Sequence, residues 1–467
     1  MPNLSGITIA SQALQAHSNA MQVVEHNVAN ANTPGYRRQS AILTATLPSS
    51  IGGSEFVKGT PGQIGSGVTI DRIQRFNLQF FDARFRSVSA ETKNWESQSS
   101  ILAQFEPTMA ETTTDGLLPK LDEFWASWQS VSADPTNTSL RTILLDNASS
   151  LASGFTRRSE QITQLRGDQN LAVSDQVGQI NSLSTQVATL NGEISRVLSV
   201  GEQPNDLLDK RDQVLDKLSE LTGAVSFEQK NGEVTVSIGG HVLVVGHETF
   251  KLKTQNNAGM LDVYWQDNQQ LIPPSGELKG ILEVRDTFLK NQQDGLNTLA
   301  TKLIEKVNTV HSAGFGLNNA TGINFFVAGS NAANIAVNPL LDAASIGVAS
   351  GMNQPGNNTQ ALAIAGLKSD KTVMTVGTGT VSMNEFYNMQ ITDRAIYTQR
   401  AADNATQNNL VAKALGTQRE SVSGVSLDEE AANMAKTQKA YQASARMLTA
   451  YDEMLDIVIN RMGLVGR

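Results

Sequence analysis

Apolar residues recur every seven positions at both ends of this chain, and that recurrence narrows the folds open to it. Near the C-terminus, Met434, Tyr441, Leu448, Leu455 and Met462 form one row, and Thr437, Ser444, Tyr451 and Val458 form a second, three residues behind it. Alternating steps of three and four give the narrow seam of a coiled coil rather than the broad face of a globular helix. Ser426 and Glu429 form a capping-box pair, and Asp428, Glu429 and Glu430 place negative charge at the positive end of the helix dipole. Arg461 and Gly463 stand where helices favour a cation and a stop. The spacing predicts one helix over Ser426–Met462, roughly 55 Å long, whose stripe needs a partner.

A matching pattern opens the sequence. Ile7, Leu14, Met21 and Val28 are seven apart, with Ala10, His17 and Val24 between them, which predicts a helix over Ser5–Ala31. Asn32-Thr33-Pro34-Gly35 ends it, because the residue before a proline is pushed out of the helical region and glycine permits the turn. With no third seam nearby, the two terminal stripes are expected to pair with each other and to order fully only on assembly.

Between them the period changes several times. Residues 40–67 carry glycines at 52, 53, 59, 62, 65 and 67 and lead into Val68-Thr69-Ile70, which suits a loop or hairpin better than a phosphate cradle. Helical spacing returns at Phe80–Trp95 and Leu117–Trp128. It then continues from Pro135 to about Val200, with Val173, Ile180, Val187 and Ile194 in one row. Gly154, Gly167, Gly178 and Gly192 each weaken that helix by about 1 kcal/mol relative to alanine, so bends or breaks are expected near them. After a helix over Asn205–Leu221, alternating apolar residues around Asn231-Gly232 predict a hairpin with a type I′ turn. With Val242, Val244, Phe250, Leu252, Leu261, Val263 and Trp265 they predict a small antiparallel sheet. Helix resumes over Gly276–His311 and again over Asn384–Arg419, while residues 313–380 show no sustained period. The fold class is therefore mainly α with an inserted antiparallel β domain. Four parts are expected: 1–45 with 424–467 as a terminal coiled-coil shaft; 46–222 with 276–315 and 384–423 as a helical bundle; 223–275 as the β domain; and 316–383 as an irregular Gly/Asn-rich segment.

Chemistry is sparse. The absence of cysteine removes disulfides and thiolate metal sites, and a net charge of −9 argues against a general nucleic-acid surface. The Arg37-Arg38 and Arg157-Arg158 pairs read as solvated charges. No apolar run approaches a membrane span, and Met1–Gly6 lacks the basic and apolar regions of a cleaved secretory signal. No nucleophile elbow, zinc-protease pair, Walker loop or dinucleotide fingerprint is present. His17 reads as a polar register residue on the first seam, and His311 as a cation ending a helix. His241 and His247, with Glu248, lack a third well-spaced ligand. An enzyme, a cofactor or a bound metal is not expected.

Two further stretches carry a resemblance. Asn27-Val-Ala-Asn30-Ala-Asn32-Thr33-Pro34-Gly35-Tyr36-Arg37-Arg38-Gln39 resembles a motif shared by axial proteins of the bacterial flagellum. Gln438-Lys-Ala-Tyr441-Gln442-Ala443-Ser444-Ala445-Arg446, followed by Asp452-Glu453-Met454-Leu455, is similar to the partner motif of the same group. The middle of the chain selects a member. Pro204-Asn205-Asp206-Leu207-Leu208-Asp209-Lys210-Arg211-Asp212, Gly280-Ile-Leu-Glu283-Val-Arg285-Asp286 and Ile459-Asn460-Arg461-Met462-Gly463 are similar to the hook-associated protein 1 (FlgK) family.

The resemblance implies a non-enzymatic subunit at the junction between hook and filament. It would be exported unfolded through the flagellar type III channel, with a cytoplasmic chaperone on its C-terminal region. Its implied partners are further copies of itself, hook protein and a second hook-associated protein, with neither nucleic acid nor membrane. The implied assembly interface takes in Ile7, Leu14, Met21, Val24, Val28, Asn30, Asn32, Pro34, Gly35 and Tyr36 at one end. At the other it takes in Met434, Tyr441, Ala445, Leu448, Leu455, Val458 and Met462. A hook or distal-rod protein is the nearest alternative, and a coiled-coil secreted effector or adhesin a more distant one.

Overall fold

The computed structural model describes residues 5–46, 48–50, 63–112 and 115–461. In chain order, α1 (Ser5–Ala29) is followed by β1 (Gln39–Ala45), β2 (Pro48–Ser50), β3 (Gln63–Gly65) and β4 (Val68–Arg75). Then come α2 (Gln79–Phe105), α3 (Leu117–Ala133), α4 (Thr138–Ser199) and α5 (Asn205–Thr222). The β segment is β5 (Val225–Glu228), β6 (Val234–Ile238), β7 (His241–Val245), β8 (Glu248–Thr249), β9 (Lys253–Asn257) and β10 (Met260–Tyr264). After α6 (Glu277–Glu283), a π-turn over Val284–Phe288 leads into α7 (Leu289–Ser312). The remainder is α8 (Thr359–Gly366), β11 (Met374–Val376), β12 (Gly379–Val381), α9 (Met383–Ser423) and α10 (Leu427–Asp456), with a last π-turn over Ile457–Arg461. The chain is mainly α with small antiparallel sheets, as its periodicity requires.

Two compact units arise. The first draws on 1–89, 180–251 and 410–467, and the second on 90–179 and 252–409.

In the first unit α1 packs along α10. Among the described residues in and just after the 40–67 stretch, β1 pairs antiparallel to β4 and β2 to β3. β5–β8 form a four-stranded antiparallel sheet whose Val234, Val236, Ile238, Leu243 and Val244 are buried. Fully buried Asn191 on α4 holds this sheet: its Nδ2 donates to the carbonyls of Val234 and Gly246 at 2.9 and 2.7 Å, and its Oδ1 accepts from Val234 N at 3.1 Å. The β5–β6 turn differs from the expected type I′. Gly232 N–H donates to Gln229 O at 3.0 Å, and within the pair only Gly232 has positive φ, at 82°. This is a three-residue loop in which the left-handed glycine supplies the twist.

In the second unit, aromatic side chains build the core. Phe124, Trp125 and Trp128 of α3 are buried with Phe325 and Phe326, with ring centroids 5.2 Å apart for Trp128–Phe325 and 5.8 Å for Phe124–Phe326. Residues 313–358, which carry no period, coil as turns around these two phenylalanines. Their folding is held by Asn308, whose side chain bonds the backbone of Phe326 in both directions. The expected single β sheet is instead two, because β9 and β10 form a separate hairpin in this unit.

Two expectations need correction here. α4 runs 62 residues unbroken despite its four glycines. Burial of Leu144, Leu151, Phe155, Ile162, Val173, Ile180, Val187 and Ile194 along one face outweighs a glycine penalty of about 1 kcal/mol each. His311 is not a helix-ending cation. It is buried, its Nδ1–H donates to Ile323 O at 2.7 Å, and its Nε2 accepts from Gly347 N–H at 2.9 Å. Burial pushes its pKa down to about 4, helped by the nearby Arg141 charge, so the imidazole is neutral.

Candidate assembly interface

The terminal pair approaches closely because α1 offers small residues at the contact. Gly6, Ala10, Ala16, Val23, Val24 and Asn27 are its buried positions. A Cβ added to Gly6 would lie 2.3 Å from Cζ of Tyr451, so Tyr451 occupies space that only glycine leaves open. Of the expected stripe, Ala10 and Val24 are buried, Ile7, Leu14, His17 and Met21 are half-buried, and Val28 is exposed.

On α10 the expected phase is largely kept. Ser444 is buried, while Met434, Thr437, Ala445, Leu448, Tyr451, Leu455 and Val458 are half-buried. Tyr441 is 39% exposed, with Ala440 turned further in beside it. Met462 lies outside the described residues. Ser426 caps the helix by accepting from Glu429 N–H. The reciprocal half of the capping box is not made, because the Glu429 carboxylate is taken by Arg38, with Nη1–Oε2 at 2.6 Å.

Beyond the end of α1, Asn27 organises the turn that follows. Its Nδ2 donates to Gln39 O at 2.7 Å and to Glu430 Oε2 at 3.0 Å, and its Oδ1 accepts from Gln39 N at 3.0 Å and from the Tyr36 hydroxyl at 2.8 Å. Every hydrogen-bonding position of this amide is therefore filled. Burial raises the Tyr36 hydroxyl pKa, and the charges of Asp206, Asp209 and Glu430 raise it further, which keeps it a neutral donor. Arg38 Nε also lies 2.9 Å from Glu430 Oε1, an ion pair without hydrogen-bond alignment. Asn30 Nδ2 donates to His26 O at 3.0 Å, whereas Asn32, Pro34 and Gly35 are exposed. Gly35 has φ of 75°, and the Pro34 carbonyl accepts from Gln213 Nε2 at 2.6 Å, so this turn rests on α5.

Under the turn lies a charge network that sequence reasoning missed. Arg37 is buried and forks onto Asp82, with Nη1–Oδ2 at 2.8 Å and Nη2–Oδ1 at 2.6 Å. Arg75 bonds Asp209 at 2.6 Å and also pairs with Asp212, and Arg86 bonds Asp212 at 2.8 Å and Asp216 at 2.6 Å. Burial alone would raise the Asp212 pKa, but Arg75, Arg86 and Arg37 hold it well below the usual carboxylate range. At Asp209 burial wins over Arg75 and Arg37, and its pKa is raised. Arg37 and Arg38 are thus structural ions rather than solvated charges, and Arg158 is likewise buried against Glu111 at 2.8 Å. The acidic partners Asp209 and Asp212 fall in the quoted 204–212 stretch, but no local pattern signals that three arginines distant in sequence converge on them.

Among the described residues, no group of three His, Asp or Glu side chains could hold a metal ion, and no helix is long and apolar enough to cross a membrane. What the arrangement offers is a clamp between the two ends of the chain and an extended helical surface.

Comparison with known proteins follows the same division of the sequence. Residues 102–326 match the family model described as the flagellar hook-associated protein FlgK helical domain. Residues 7–37 match that of the flagella basal body rod protein, and 418–462 that of the flagellar basal body rod FlgEFG protein C-terminal. The flagellar hook-associated protein 1 of Bacillus subtilis (strain 168) is 29% identical, with 99% of each chain covered. That of Escherichia coli (strain K12) is 24% identical over 97% of this chain and 99% of the relative. The solved flagellar hook junction protein FlgK from Burkholderia pseudomallei shares the fold, with a TM-score of 0.64 at 16% identity over 73% of this chain and all of that one.

Proposed function

Because this chain belongs to the flagellar hook-associated protein 1 family, we propose that it is a structural subunit of the bacterial flagellum, forming the junction between hook and filament. The meeting of the two ends carries the reading. The segments similar to basal-body rod proteins, 7–37 and 418–462, are not merely present at opposite ends of the sequence: they lie side by side as α1 and α10, tied by Asn27 to Glu430 and by Arg38 to Glu429. A side-by-side helical pair built from both ends suits stacking into a tube, and the relatives are structural flagellar proteins.

In this reading the subunit assembles with copies of itself, with hook protein on one side and a second hook-associated protein on the other. It reaches that place unfolded, through the flagellar type III channel, with a cytoplasmic chaperone on its C-terminal region. A sequence without cysteine, whose fold needs no disulfide, suits such a route. The implied interface residues on α1 and α10 serve assembly by shaping this pair.

Electron microscopy of a deletion strain tests the proposal. Complete hooks without filaments, with filament protein lost to the medium, are the expected result. Truncated or absent hooks would overturn it in favour of a hook or rod protein.

A further inference from the structure

A cleft of about 940 Å³ opens in the first unit, walled by the end of β4, the first turns of α2, α5 and β5. Clefts that hold ligands span roughly 300–1,000 Å³. One wall is a strand edge. β5 is the outermost strand of its four-stranded sheet, and among the described residues no strand lies on its other side. Which backbone groups face that side follows from the ladder. Val234 turns both its N–H and its C=O away from β5, to Asn191, so its pair with Glu228 is of the non-hydrogen-bonded kind. Alternation makes Ser226–Val236 the same. The N–H and C=O of Ser226 and Glu228 therefore point out over the free edge, a template for an added strand.

The two faces of β5 differ in chemistry. On one, the Ser226 hydroxyl accepts from Arg86 Nη1 at 3.2 Å, and Glu228 Oε1 accepts from Arg211 Nη2 at 3.4 Å. On the other stand Val225 and Phe227, 51% and 62% exposed, and Phe80 in the same cleft is 69% exposed. Five basic and three acidic side chains line the cleft, in a chain whose net charge is −9. Asp82 and Asp212 are taken up by Arg37, Arg75 and Arg86. Arg211 is less well matched. It is buried, its Nε has no hydrogen-bond partner, and the carboxylate it meets, on Glu228, is itself exposed. Burial lowers its pKa, and Glu228 with Asp212 does not restore it. Lys230, which lines the same cleft, is exposed.

We infer that this cleft docks an extended segment of a second, different polypeptide, one that alternates carboxylate and apolar side chains and adds to the free edge of β5. Period two in the incoming strand matches the two faces of β5. Its backbone pairs with Ser226 and Glu228, its carboxylates turn toward Arg211 and Lys230, and its apolar side chains cover Val225 and Phe227. Docking at β5 is a property of the free folded chain, independent of its place in a flagellum.

A fluorescently labelled, capped heptapeptide alternating glutamate and valine, titrated with the full chain and read by anisotropy, tests the site. It should bind at least tenfold more tightly than the same peptide with lysine in place of glutamate. Ser226→Pro removes an outward donor that the ladder to β6 does not use, and Lys230→Glu reverses an exposed charge. Each should weaken binding at least tenfold, with circular dichroism unchanged. Equal binding of the two peptides, no binding at millimolar concentration, or natural affinity in either variant would overturn the site. Self-association of the chain that Ser226→Pro abolishes would give the edge to a second copy, and would overturn the choice of occupant.

Discussion

Asn27 Nδ2 donates to Glu430 Oε2 at 3.0 Å across 403 residues of sequence, and both side chains are only 1% exposed. One amide thereby fastens the end of α1 to the first turn of α10. Asn27→Ala would leave a buried carboxylate oxygen and both backbone groups of Gln39 without their partners, at a cost of about 2–3 kcal/mol. Hydrogen exchange should show amides of α1 and α10 opening at least tenfold faster. Unchanged protection would remove Asn27 from this role.

Asp212 faces Arg37, Arg75 and Arg86 in the first unit. Asp212→Ala leaves buried guanidinium groups uncompensated, and a loss of about 3–5 kcal/mol is expected. The pH dependence has a definite sign. A carboxyl held below its ordinary value adds stability above that value and loses it as pH falls, so denaturation midpoints should drop on acidification more in the natural chain than in the variant.

His311 titrates in the opposite chemical sense but with the same consequence. Its folded pKa, pushed down from 6.5 to about 4, means that the fold holds the neutral imidazole. Stability from this group is complete above pH 6.5 and falls as pH drops toward 4, by about 3 kcal/mol in total. Protonated Nε2 would meet the Gly347 N–H as a second donor. Nuclear magnetic resonance of the imidazole and of the Gly347 amide should therefore change together. An imidazole titrating near 6.5 in the folded chain would contradict the geometry.

Gly167, Gly178 and Gly192 of α4 have open space where a Cβ would stand. Each change to alanine should stabilise by about 0.5–1 kcal/mol, read as a higher thermal midpoint. Gly280→Ala should do the reverse, because its Cβ would lie 2.5 Å from Asn94 O.

Periodic burial was legible from sequence wherever one helix face is apolar. The seam of α10, the row Val173 to Ile194 and the positions of α5 and α7 follow from spacing alone. On α1 the spacing was legible in part, since Ala10 and Val24 are buried as expected, but it carries no mark of Gly6, whose missing side chain makes room for Tyr451. The continuity of α4 was missed for a related reason: local glycine penalties are visible in a sequence, and the tertiary burial that exceeds them is not. Buried ions were the largest omission. Arg37, Arg75 and Arg86 carry no local mark of burial, since charge counts are the same whether a pair is solvated or enclosed. His311 was misread because its place at a helix end suggested a cation, while its real partners, Ile323 and Gly347, lie in the stretch without periodicity.

The first compact unit is assembled from 1–89, 180–251 and 410–467, and this makes it a latecomer in time. In a chain emerging from its N-terminus, α1 appears first yet cannot find its seat until more than four hundred residues have followed, whereas the second unit has all of its parts once residue 409 is out. Closing so long a loop costs entropy that grows with the logarithm of its length, and contacts between residues far apart in sequence slow folding. The order of emergence thus acts as a clock, and the two matching ends come together only after everything between them has arrived.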